Sequence, residues 1–119
     1  MSYDLEIGVQ IAGTSIIASI AEPEYDSPTY NLGKMFKACM GWDFEQGRWY
    51  RVEDVIYKIE HGIHELRHNE KAYKKYNPKN GWGDTKSALE ALESLYKCIK
   101  NCSDGWLFDI PMEHLWVRW

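Results

Sequence analysis

Apolar and polar positions alternate from Tyr3 to Ala12, with Leu5, Ile7, Val9 and Ile11 set against Glu6, Gly8 and Gln10. A period of two predicts a half-buried strand. Gly13-Thr14 follows as a two-residue turn with Gly first, and Ser15 to Ala21 resumes with Ile16, Ile17, Ala18 and Ile20. The pair predicts an antiparallel hairpin. Glu22 to Pro28 holds two prolines and three acids and reads as a loop.

The period then changes. Asn31 is placed to cap a helix from Leu32 to Met40, with Leu32, Met35, Phe36 and Cys39 on one stripe and Gly41 as its stop. Trp42 to Trp49 shows no period and reads as a loop. Arg51 to Asn69 is the longest helical pattern, carried by Val52, Val55, Ile56, Ile59, Ile63 and Leu66. Gly62 interrupts it at a cost of about 1 kcal/mol relative to Ala. Glu70 to Tyr76 reads as a short extra turn, and Asn77 to Gly83 as a stop. Asp84 or Thr85 caps a third helix to Asn101, with Ala88, Leu92, Leu95 and Ile99 on its stripe. Trp106 to Ile110 and Leu115 to Trp119 read as strands.

Strands first, helices next and a strand last predict an α+β fold. The N-terminal hairpin and the C-terminal strands would form a small antiparallel sheet, with about three helices on one face. At 119 residues, positions 1–119 fit a single domain.

Composition narrows the function classes. Fourteen Lys and Arg against eighteen Asp and Glu give a net charge of -4, which argues against a binder of nucleic-acid phosphates. No apolar stretch reaches the ~20 residues that span a bilayer, and Met1 to Asp4 carries no basic leader. Three cysteines, Cys39, Cys98 and Cys102, do not form a disulfide framework of even count. Together these predict a reduced, cytoplasmic chain with no membrane partner. Six Trp and eight Tyr leave two uses open: a small core built from large rings, or a surface that stacks on a partner.

His64-Glu65-Leu66-Arg67-His68 spells H-E-x-x-H, in which two imidazoles one helical turn apart hold Zn²⁺ and the Glu acts as base on bound water. His61 lies on the same face, and Glu90 stands at a distance suited to a third ligand. Against this, composition alone produces the pattern in roughly one such chain in a hundred. Lys71 also occupies the place of the Gly that extends the motif in one zinc-protease class. The reading preferred is a solvated helix face, with no cofactor and no catalytic residue. A metal at His61, His64 and His68, serving a zinc hydrolase, is the alternative.

Other constellations are weaker. Lys71, Lys74, Lys75 and Lys79 interleave with Tyr73 and Tyr76, a nucleic-acid cue in an otherwise acidic chain, and read as solvated surface. Trp82 between two glycines is read as a lid folded onto the core, with an exposed stacking ring as the alternative.

Tyr3-Asp4-Leu5, the run Thr29-Tyr30-Asn31-Leu32-Gly33-Lys34-Met35 and the turn Tyr76-Asn77-Pro78-Lys79-Asn80-Gly81-Trp82-Gly83 resemble a family of small phage, prophage and bacterial proteins. Its members pair such a run with an Asn-Pro-x-Asn-Gly-Trp-Gly turn and a final helix ending in an acidic, Cys-containing segment, which Cys98 to Asp104 matches. The resemblance covers most of residues 1–105. The segment from Trp106 to Trp119 departs from it. The family has no agreed activity and supplies no catalytic residues. It implies a phage-borne setting, in the host bacterial cytoplasm, in which small proteins act by binding a host component.

The expected function is therefore a non-enzymatic binding module that binds, or by binding inhibits, a host protein or complex such as a defence component. Trp106, Trp116 and Trp119 are candidate contacts, since Trp is enriched at interface hot spots. The alternative is a pocket for a nucleotide signal, in which Tyr30, Asn31, Asn80 and Trp82 stack on a base and read its edge.

Overall fold

The computed structural model describes residues 1–105 and 108–119. Four strands, β1 (Glu6–Gln10), β2 (Ile17–Ala21), β3 (Trp49–Arg51) and β4 (Leu115–Arg118), form one antiparallel sheet in the order β2-β1-β4-β3. The chain's C-terminal strand thus enters between the hairpin and β3. Among the described residues, three α-helices, α1 (Gly33–Met40), α2 (Val52–His68) and α3 (Thr85–Ser103), complete the α+β fold.

Register explains which residues are inside. Ile7 stands opposite Val117, and Val9 opposite Leu115. Directly opposed residues in an antiparallel pair share a face, and Ile7, Leu115 and Val117 are fully buried there. The helical stripes meet that face: Met35, Phe36, Val52, Ile59, Leu92 and Leu95 join it in one continuous core. Gly62, an apparent defect in α2, is the contact point. A Cβ there would lie 2.6 Å from Met40 Cγ and 3.0 Å from Leu92 Cδ1. Only a glycine lets α2 approach α1 and α3 so closely.

Several local expectations are corrected. Asn31 does not cap the first helix. Thr29 instead caps a 3₁₀ turn at Tyr30–Leu32, its side chain accepting from Asn31 N at 3.3 Å, and α1 follows from Gly33 with no side-chain cap of its own. The hairpin link is longer than Gly13-Thr14. Ile11 N donates to Ile16 O at 2.8 Å, and Gly13 takes φ +78° as the third residue of a turn closed by Thr14 N on Ile11 O. The Thr14 hydroxyl accepts from Ile16 N at 3.1 Å and so holds the returning strand.

Trp49 belongs to β3 rather than to a loop. Three residues running straight into α2 are too few to display a period. Tyr57 is 60% exposed, because it falls off the stripe of Val55, Ile59 and Ile63. The strand expected over 106–110 does not form at Phe108–Ile110, and Trp106 and Leu107 lie outside the described residues. Asp84 caps α3, accepting from Ser87 N at 2.8 Å. No described helix is long and apolar enough to cross a membrane.

Candidate functional site

The five described tryptophans divide into three environments. Trp42 and Trp119 are buried at 8% and 1% exposure in a cluster with Tyr3, Phe36 and Phe44. Trp119 stacks on Phe44 at 4.5 Å and meets Phe36, Tyr3 and Trp42 at 5.1, 6.1 and 6.2 Å. Trp119 is core, not contact surface. Trp49 and Trp116 lie half-buried on the outer face of the sheet. Each carries an arginine: Arg118 lies 4.6 Å from Trp49 and Arg51 5.0 Å from Trp116. Arg118 is also paired with Glu6. Guanidinium groups over rings give this face its own cover.

Trp82 is the third case. It is 70% exposed, so the lid is overturned and the exposed ring holds. The turn beneath it is nonetheless fixed. Asn80 Oδ1 accepts from Trp82 N at 3.0 Å. Gly83, at φ +105°, is pressed against the Thr29–Leu32 segment. A Cβ there would meet Leu32 Cδ2 at 2.9 Å and Thr29 Cγ2 at 3.3 Å. Folding therefore brings the run beginning at Thr29 and the turn ending at Gly83 together. Asn31 and Asn80 are exposed beside that junction. The Tyr30 ring is committed elsewhere, edge-on to Tyr3 at 4.8 Å with its hydroxyl accepting from Gln46 Nε2.

A groove of about 710 Å³ runs between α2 and α3 under the 22–24 loop. Ile63, Cys98 and Pro23 give it buried apolar ground. Arg67 bridges to Glu93 at 3.1 Å, and Tyr96 donates to Glu60 at 3.2 Å. His64 and His68 are on its wall, their rings 4.6 Å apart. Glu65 points away from it. Tyr73 donates to Glu65 at 2.7 Å, and that hydrogen bond holds the Glu65 carboxyl below its usual range. Burial pushes the Tyr73 phenol up to about 12, with the Glu65 bond adding to it. Glu90 lines a second, shallower concavity with Tyr25 and Asp26. Among the described residues, no three His, Cys, Asp or Glu side chains converge to hold a metal, His61, His64 and His68 included.

The three cysteines are free and buried. Burial pushes Cys39 and Cys98 up to about 12. Thiols in this state are weak nucleophiles and weak ligands at neutral pH.

No protein-family model matches the chain, and neither does any curated protein or solved structure.

The groove escaped the sequence reading because it needs two helices and a loop brought together from distant positions. One local signal existed: Glu60, Arg67, Glu93 and Tyr96 all flank the apolar stripes of helices that must pack side by side.

Proposed function

We propose that the protein is a non-enzymatic binding module that docks on another protein through the corner formed by Trp82, Asn31 and Asn80. The resemblance to small phage and prophage proteins favours a host protein or complex as the partner, and inhibition of a defence component as the outcome. One observation carries the reading. Trp82 is 70% exposed on a turn that is held by the Asn80 side chain and by the close seat of Gly83 on Leu32. A large ring held outward on a fixed turn enters an interface with little conformational entropy left to lose. Flanking amides supply directional hydrogen bonds around it, the usual surround of an aromatic anchor.

The nucleotide pocket is less well supported, since Tyr30 is turned onto Tyr3. Affinity capture from host bacterial lysate tests the docking reading. The wild-type chain is expected to retain a stoichiometric protein that Trp82→Ala loses. Equal capture by both forms, or no stoichiometric protein with either, overturns it.

A further inference from the structure

The hairpin is the least charged part of the molecule. Residues 7–21 carry no charged side chain, in a chain where 27% of residues are charged. Soluble proteins guard edge strands with charge, proline, brevity or a bulge, because unpaired backbone N–H and C=O groups template another strand. The two edges of this sheet differ in that respect. β3 is three residues long, ends in Arg51 and follows Arg48. β2 is five residues long and reads Ile-Ala-Ser-Ile-Ala. Among the described residues, no strand pairs with its outer side.

β2 is also anomalous in burial. It is uncharged along its length and apolar at four of five positions, yet none of its residues is fully buried. Beyond it, every residue from Gln10 to Ile16 is exposed, with Ile11 at 46% and Ile16 at 59%. The one bulge of the hairpin, where pairing shifts between Ile7 and Gly8, falls at Ile20. The 16–19 stretch is left with regular alternation.

We propose that β2 is the contact between two copies of this chain, paired antiparallel about a two-fold axis at Ala18 so that the sheet continues across both. A two-fold contact must be self-complementary, and this strand is. Ala18 faces Ala18, and Ile17 faces Ser19 on either side of it. Each pair keeps the two faces of the pleat in step. No like charges are opposed, although each copy carries a net charge of -4. A charged foreign strand would find no counter-charge along this edge. A second copy needs none.

Sedimentation analysis of the full chain at micromolar concentrations tests the contact. The expected mass is twice the 14.0 kDa of one chain. Ile16→Lys and Ser19→Lys both alter exposed positions, and far-UV circular dichroism verifies the fold. Each is expected to weaken the dimer by at least about tenfold in Kd. A wild-type monomer, or a dimer that survives both changes, overturns the proposal. Ala18→Cys provides a second arm. Under mild oxidation it is expected to cross-link to itself well ahead of a Lys79→Cys control. Cross-linking no faster than that control overturns the proposed register, and with it the contact.

Discussion

Trp119 and Trp82 are the same side chain at opposite extremes, 1% and 70% exposed. The difference comes from what each backbone position offers. Trp119 continues the alternation of β4, in which Leu115 and Val117 point to the core while Trp116 and Arg118 point outward. Its ring therefore falls among Tyr3, Phe36, Trp42 and Phe44, which converge from the N-terminal segment, α1 and the loop after it. Trp82 sits on a turn with glycines on either side and no stripe to join. Its turn seats Gly83 on Leu32, and the ring is left in water. A tryptophan count cannot separate core from surface, but a period of two can.

The comparison breaks most readily at Trp119. Trp119→Ala empties the centre of five rings, and truncating such a side chain costs about 3–5 kcal/mol. Urea denaturation measures it, and a loss below about 1 kcal/mol would mean that the cluster is not structural. Trp119→Phe sharpens the point. Trp119 Nε1 is buried without a hydrogen-bond partner among the described residues. An unpaired buried N–H costs about 1–3 kcal/mol, so its removal offsets part of the lost packing. The Phe variant should lie much closer to wild type than the Ala variant.

Gly62→Ala comes next. In an open helix the change gains about 1 kcal/mol. Here the new methyl meets Met40 Cγ at 2.6 Å and Leu92 Cδ1 at 3.0 Å. Overpacking of this kind costs about 1–3 kcal/mol. A net fall in melting temperature is expected, and a rise would show that α1 and α3 yield at this contact.

The same contact marks a limit of the sequence as a guide. The stripes of α2 and α3 and the alternation of β1 are legible because each period repeats several times, whereas β4 is too short to show more than a bare strand. The reason for Gly62 is not legible, since it depends on three helices meeting. The Thr29 cap was hidden for a related cause: Asn31 is as good a capping residue, and only the tight turn at Tyr30–Leu32 decides between them. At the site, the spacing of His64 and His68 correctly put both rings on one face. The Tyr73 bond that turns Glu65 aside came from a segment with no long-range signal. Trp82 reads as a lid from sequence, and stands exposed instead, because a turn between two glycines gives no direction to its ring.

Asp84 lies between the extremes. Its carboxylate accepts from Ser87 N at 2.8 Å and from the Ser87 hydroxyl at 2.9 Å, and the backbone bond chiefly holds its pKa below 3.8. A carboxyl depressed in the folded state contributes stability above its unfolded pKa and loses it as pH falls through the folded one. Stability should therefore decline in acid below about pH 4. Asp84→Ala should cost about 1 kcal/mol near neutrality and leave a shallower decline in acid. Thermal melts of both forms across that range measure it. An unchanged acid slope would mean that other carboxyls carry the effect.

Trp82→Ala is the smallest effect expected on stability. A ring 70% exposed has little packing to lose, and the bonds that fix its turn run through Asn80 Oδ1 and the Trp82 backbone, which alanine keeps. The change in unfolding free energy should stay within about 0.5 kcal/mol, the ordinary range for surface sites. This near-silence in urea is what gives the capture experiment its meaning. A variant as stable as wild type that loses its partner has lost a contact, not a fold. If Trp82→Ala instead destabilised the chain by as much as Gly62→Ala, the ring would be bracing the Thr29–Leu32 segment. Trp82 would then belong with Trp119, among the residues that hold the molecule together.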